Sequence, residues 1–321
     1  MLHPPSRRRV LAAMAALPLA RPAAAQVRPV RLVVPYGAGS GPDIFARRFA
    51  QGFATRFGTA VGVDNRGGAS TMIGAEHVAS SAPDGHTLLL TASTTFAANP
   101  HLVRRLSYDI AQFQPISLLV RTRLALYASP TFPAGDMTRV VELARAAREP
   151  LHYGITGRGN STHLTGEALK IAAGIEMIDV PYRGTPPMQQ GLMRGDVPLA
   201  IDGIPAWLTL ARERRVKVIA VTGRGRVEAL PDVPSFAETG LADTGHQHWY
   251  GLFAPAGVPA PLLERLHAAT IATMQDAELW HGLTQEGATV ETTTPAGFAA
   301  LIAQESETWG RVIRRVGLAM E

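Results

Sequence analysis

Val30-Arg31-Leu32-Val33-Val34-Pro35-Tyr36-Gly37-Ala38-Gly39-Ser40-Gly41-Pro42-Asp43 is the stretch that decides the fold. Its β-branched apolar opening reads as a buried strand. The strand runs into glycines at every second position, and Pro42 and Asp43 then open an amphipathic helix that extends to about Phe57. Strand, glycine-rich turn and helix N-terminus in that order suit anion capture. Glycines let the backbone approach a ligand, and the first turn of a helix offers unpaired N–H groups with a partial positive charge.

Outward from this stretch the pattern repeats. Ala60 to Asn65 reads as a strand, followed by a helix to about Ser80, a turn at Pro83-Asp84-Gly85 and a strand at Thr87 to Thr91. In the middle third a helix around Arg139 to Arg148 precedes the strand Leu151 to Ile155. A second glycine-rich turn, Thr156-Gly157-Arg158-Gly159-Asn160, leads into a helix at Ser161 to Ala173. Strands at Met177–Pro181, Val197–Asp202 and Val216–Thr222 alternate with helices, and Trp249–Ala254 is a strand before helices near Ala260–Met274 and Pro295–Val316. Such alternation predicts an α/β architecture in which mostly parallel sheets are flanked by helices.

The 321 residues suit two lobes. The extended apolar segments Phe113–Ala128 and Gln247–Ala254 read as crossings between them. Two crossings make the first lobe discontinuous, residues 26–120 plus 252–321, with residues 121–251 as the second. The ligand cleft is expected between the lobes, in a clamshell that closes about a hinge.

Residues 1–25 read as an export signal: Arg7-Arg8-Arg9, an apolar alanine-rich run, then Ala23-Ala24-Ala25, with cleavage expected near Ala25-Gln26. Ser6-Arg7-Arg8-Arg9-Val10-Leu11 follows the twin-arginine pattern, and the general secretory route is the alternative. Periplasmic delivery is the expectation. Without the four arginines of that segment, 27 basic residues face 26 acidic ones, so the formal charge of +5 gives no footprint for nucleic acid. Hydrophobic residues at 46% and charged residues at 18% exclude a disordered chain. The absence of cysteine excludes disulfides, a CxxC zinc site and a cysteine nucleophile.

Reactive motifs are weak. The first turn reads G-x-G-x-G rather than G-x-G-x-x-G, although Asp64 stands where a ribose-binding acid would. Neither turn is followed by a Walker lysine, and no G-x-S-x-G elbow is present. His163 reads as a packed or capping residue, and His246 with His248 lacks a third metal ligand. No catalytic residue, metal or cofactor is expected. The candidate ligand-binding residues are Tyr36, Gly39, Ser40, Gly41, Asp43 and Thr94 from the first lobe. Thr156, Asn160, Ser161, Thr162, Tyr182, Arg183, Gly184 and Asp202 come from the second. Asp43 and Ser161 have the alternative reading of helix N-caps. Tyr182 and Arg183 read equally as a packed ring and a surface charge, and Asp202 as a ligand for a hydroxyl or ammonium group or as a cap.

Several segments together resemble the substrate-binding proteins of tripartite tricarboxylate transporters, the Bug receptors. They include Val34-Pro35-Tyr36 through Asp43, Asn65-Arg66, Ala82-Pro83-Asp84-Gly85-His86-Thr87-Leu88 and Asn99-Pro100-His101-Leu102. Phe113-Gln114-Pro115-Ile116-Ser117, Tyr153-Gly154 to His163-Leu164, Val180 to Gly184, Pro231-Asp232-Val233-Pro234 and Trp249-Tyr250-Gly251 continue the series in family order. The resemblance implies a two-lobed, type II periplasmic-binding-protein fold. It implies a monomer that holds a small organic carboxylate between both glycine-rich turns and passes it to integral-membrane permease subunits, with no enzyme activity. Ser40, Pro42, Gly67-Gly68-Ala69-Ser70-Thr71 and Asn160 depart from the usual family pattern and bear on which carboxylate is bound. The rival readings are an exported nicotinamide-dependent oxidoreductase built on the first turn and a carboxylate receptor that serves a sensor protein.

Overall fold

The computed structural model describes residues 28–241 and 248–319. The expected signal segment and its cleavage point lie outside the described residues, as do His246 and Gln247.

The described part of the chain starts with β1 (Val30–Val34), α1 (Gly41–Phe57), β2 (Val61–Asn65), α2 (Met72–Ala79), β3 (Thr87–Ala92), a one-turn α3 (Asn99–Leu102) and the long β4 (Phe113–Thr122). It continues through β5 (Leu124–Ala128), α4 (Met137–Ala146), β6 (Leu151–Ile155), α5 (Ser161–Ala173), β7 (Met177–Pro181), α6 (Thr185–Arg194), β8 (Leu199–Gly203), α7 (Ile204–Arg212) and β9 (Lys217–Val221). It ends with β10 (His248–Pro255), α8 (Ala260–Met274), α9 (Ala277–Gln285), the two-residue β11 (Thr289–Val290) and α10 (Pro295–Val316). The sequence outline lacks α9 and β11 as separate elements.

These strands form two sheets, in the orders β11-β4-β10-β3-β1-β2 and β7-β6-β8-β5-β9. Both are mixed. β1 runs parallel to β2 and β3, and β6 parallel to β7 and β8, where a helix crossover joins the strands. β10 is antiparallel to β3 and β4, and β5 to β8 and β9. The expectation of mostly parallel sheets thus holds for the strand–helix–strand units alone. β5 and β10 enter their sheets from the other lobe without a crossover helix, so nothing imposes the parallel direction on them.

Helices cover both faces of each sheet, which is why Leu32, Val33 and Val34 of β1 are buried in succession rather than alternately. On one face Val30, Leu32 and Val34 meet Phe45, Phe49 and Phe53 of α1. Spaced four apart, Phe45, Phe49, Phe53 and Phe57 form a stacked ladder along one side of that helix. On the other face Val33 joins Trp249, Phe253, Phe96 and Phe298. In the second sheet Tyr127 of β5 stacks on Trp207 of α7 at 4.4 Å.

A single residue, Arg123, joins β4 of the first sheet to β5 of the second. Its neighbours are tied to different lobes. Arg121 donates to Glu291 at 2.6 Å and to Glu305 at 3.4 Å, and Trp249 at the start of β10 also donates to Glu305. Arg123 donates instead to the carbonyls of Gly225 and Arg224, at 2.6 and 2.7 Å. Thr122 lies between these two anchorages.

Candidate functional site

The first turn is built by Asp43. Its carboxylate, 2% exposed, accepts from the Gly39 N–H at 2.8 Å, from Arg47 at 3.0 Å and from Asn65 at 2.9 Å. Burial acts to raise the pKa of Asp43, yet the hydrogen bonds from Arg47, Gly39 and Asn65 outweigh it and hold the group below the usual carboxylate range. Gly39 adopts φ +76°, a left-handed conformation that glycine takes without strain. Ser40, the N-cap of α1, directs its hydroxyl to the Gly37 carbonyl at 2.7 Å and not to the helix.

Asn160 builds the second turn. Its side-chain oxygen caps α5 by accepting from Thr162 N and His163 N, at 3.0 and 3.3 Å. Its amide donates to Thr156 Oγ1 at 2.9 Å, and Thr162 Oγ1 in turn accepts from Thr156 N at 3.0 Å. The Ser161 hydroxyl has no hydrogen bond to a described residue.

Both turns line one cleft. Its outer part, about 630 Å³, is bordered by Tyr36, Gly37 and Ser40 from one lobe and by Thr156, Gly157, Arg158, Asn160, Tyr182, Arg183 and Gly184 from the other. The narrow inner end, about 30 Å³, is bordered by Tyr36, Ser40, Gly41, Thr156, Asn160, Ser161, Thr162 and Asp202. The lobes approach each other beside the first turn. A Cβ added to Gly39 would lie 3.2 Å from Pro186, and one on Gly37 would lie 4.0 Å from the Arg183 carbonyl.

Of the fourteen candidate residues, eleven border this cleft. Gly39, Asp43 and Thr94 do not. Gly39 turns its N–H to Asp43, and Asp43 spends its oxygens inside the turn. Thr94 is buried in the short turn after β3. Asp202 is held by Thr185 at 2.6 Å, Trp207 at 3.0 Å and the Gly203 N–H at 2.8 Å, and burial raises its pKa despite these three donors. The Tyr36 hydroxyl is buried without a partner in hydrogen-bond geometry, although Thr91, Ala92 and Thr95 surround it. Burial pushes it up to about 12, so it stays a proton donor at any physiological pH. Arg158 is paired with Asp179 at 2.7 Å, whereas Arg183 forms no ion pair with a described residue.

Three groups of lining residues go beyond the candidates. Thr122, His248 and Tyr250, from the crossing strands, close the inner end. Arg158 borders the outer part. The loop Gly67 to Thr71 also borders it, with Ala69, Ser70 and Thr71 all at positive φ. Each costs roughly 1–3 kcal/mol of strain, and Asn99 offsets this by donating to the Ser70 carbonyl at 2.7 Å and to Thr71 Oγ1 at 3.3 Å. The sequence marks this loop by its glycine pair and by its departure from the family pattern, and gives no sign of the left-handed conformations.

Asp64, the residue on which a nucleotide reading depends, faces away. It pairs with Arg66 at 2.8 Å and borders a separate surface hollow beside Arg28 and Arg31. Among the described residues no three His, Asp or Glu side chains are grouped to hold a metal ion, and no helix is long and apolar enough to cross a membrane.

A family model described as the tripartite tricarboxylate transporter family receptor matches residues 45–318. A protein from the tcbD-tcbE intergenic region of Pseudomonas sp. strain P51 is 32% identical over 96% of this chain and 94% of its own length. The protein BugT of Bordetella pertussis is 27% identical, with 92% and 91% covered. Among solved structures, the periplasmic binding protein BugD superposes with a TM-score of 0.88 at 30% identity, covering 92% of this chain and 99% of its own. A Rhodopseudomonas palustris protein solved with adipate gives a TM-score of 0.88 at 29% identity over the same shares. MatC of that organism, solved with malate, gives 0.84 at 30% identity, covering 90% and 99%.

Proposed function

The chain belongs to the tripartite tricarboxylate transporter receptor family, whose members are solute-binding receptors and not enzymes, and from that premise we propose that it captures a small organic carboxylate in the periplasm and presents it to permease subunits in the membrane. The observation that carries this reading is the convergence of two helix N-termini, one from each lobe, on one cleft. In this reading Gly41 N–H at the start of α1 and Ser161 N–H with its hydroxyl at the start of α5, which border the same inner end of the cleft, receive one carboxylate. Arg183 in the outer cleft supplies positive charge for the remainder of the ligand.

Carboxylates held by two structural neighbours, adipate and malate, support this ligand class. Closure of the lobes is the readout: a ligand bridging both turns favours the closed population, and a permease that recognises that shape is engaged only by loaded receptor. A thermal-shift panel on protein that has been unfolded and refolded, so that co-purified ligand is lost, tests the reading. Malate, adipate or a related acid is expected to raise the melting temperature in proportion to the logarithm of its concentration. No response to any mono-, di- or tricarboxylate would overturn the proposal.

A further inference from the structure

His163 stands directly behind the second glycine-rich turn, at the third position of α5. Its ring is buried and does not border the cleft. Nδ1 accepts the Gly159 N–H at 3.1 Å. A ring nitrogen that accepts carries no proton, so this ring is neutral with its hydrogen on Nε2. Nε2 lies 3.8 Å from Glu167 Oε1, which already accepts from Tyr153 at 3.1 Å and from Lys170 at 3.0 Å. The charged groups facing the ring are Glu167 and Lys170 of α5, Arg158 of the turn and Asp179 of β7, two of each sign. Burial is the largest influence and holds the pKa of His163 below the ordinary histidine value. Gly159 is at φ +75°, with its amide drawn inward to the ring while Thr156, Arg158 and Asn160 on either side face the cleft.

We propose that His163 is a positioning residue of the ligand site: as a neutral acceptor it fixes the Gly159 amide and with it the second turn, and protonation of its ring breaks that bond, loosens the turn and weakens ligand binding. A proton on Nδ1 sets two N–H donors against each other, so either the ring must rotate or the glycine peptide must turn. Both displace the segment that carries Thr156 and Asn160. The inference rests on the receptor reading of the same cleft. It adds an acid-sensitive release to that reading, located in a residue that does not touch the ligand.

Exchange of the Gly159 amide, followed by NMR in glycine-labelled protein and corrected for the intrinsic rate, tests the first half. Adipate affinity, measured by calorimetry at pH 7.5 and 5.0, tests the second. H163N is the comparison, because an amide oxygen takes the place of Nδ1 and does not titrate. In the wild type, protection of Gly159 is expected to fall about tenfold between the two pH values, and adipate affinity roughly fivefold more than in H163N. Comparing the two proteins removes the effect of the protonation of adipate itself. Equal pH dependence in both proteins, or flat Gly159 protection in the wild type, would overturn the proposal. Binding of none of the carboxylates of the thermal-shift panel at either pH, with the Gly159 response intact, would count against the carboxylate reading and leave the His163–Gly159 coupling standing.

Discussion

Replacing Asp43 by Ala separates a residue that builds the site from one that touches the ligand. The substitution leaves the Gly39 N–H without its acceptor, takes one of two acceptors from the Asn65 amide, which keeps the Tyr36 carbonyl at 3.2 Å, and removes the ionic partner of Arg47. A buried donor stripped of its acceptor costs about 1–3 kcal/mol. The Arg47 pair counts for less, because that side chain is half exposed and solvent screens it. Both donors are part-buried and Asn65 keeps one acceptor, so the expected loss lies toward the lower end, roughly 2 kcal/mol of unfolding free energy. Urea denaturation followed by tryptophan fluorescence should show a lower midpoint at an unchanged slope. The pH dependence carries a second signature. The pKa of Asp43 is lower in the folded chain than in the unfolded one, so its contribution is complete above about pH 4 and is lost as pH falls toward the folded value. D43A should lack that acid-side decline. A stability change below about 0.5 kcal/mol, within the range of ordinary surface substitutions, would refute the view that this carboxylate holds the turn.

Gly39→Ala places a Cβ at φ +76° and 3.2 Å from Pro186 of the opposite lobe. It should cost roughly 1 kcal/mol of stability and weaken adipate binding further by obstructing closure; calorimetry showing unchanged affinity would discount the contact. Arg183→Ala should leave the melting temperature unchanged and reduce adipate affinity about tenfold, or 1.4 kcal/mol, since this guanidinium borders the cleft without an ion-pair partner among the described residues. Phe49→Ala removes the middle of the ring ladder on α1, where the side chain is fully buried. A loss of about 3–5 kcal/mol is expected in chemical denaturation, and a value near 1 would mean that the ladder collapses into the gap.

Much of the site is local in sequence and was legible there. Both glycine-rich turns follow a strand and precede a helix, so the chain itself announces where backbone amides are exposed. Asp43 shows the limit of that reading. An acid at the start of a helix after a glycine turn has the same local pattern whether it meets a ligand or folds back. The outcome was decided by Arg47 one turn on and by Asn65 at the end of β2. The conformation of the Gly67–Thr71 loop was hidden for a different reason. Its left-handed residues are Ala, Ser and Thr, types that signal no such conformation, and they are held by Asn99 from a distant turn. Thr122 and Tyr250 face the cleft because the start of β10 pairs antiparallel with the end of β4, Tyr250 opposite Val120 and His248 opposite Thr122, before the register shifts at Gly251. That register follows from tertiary pairing and not from composition.

In the proposed closure Thr122, between the two anchorages, is the fulcrum, and it also borders the inner end of the cleft. In a lever, points near the pivot barely travel while distant points sweep a wide arc. On that closure the inner end of the cleft keeps its shape as the lobes rotate, and the mouth, where Gly37 faces Arg183, covers the greater path. Substitutions at the floor should change affinity in the open and shut states alike, whereas those at the mouth should alter only the balance between the two.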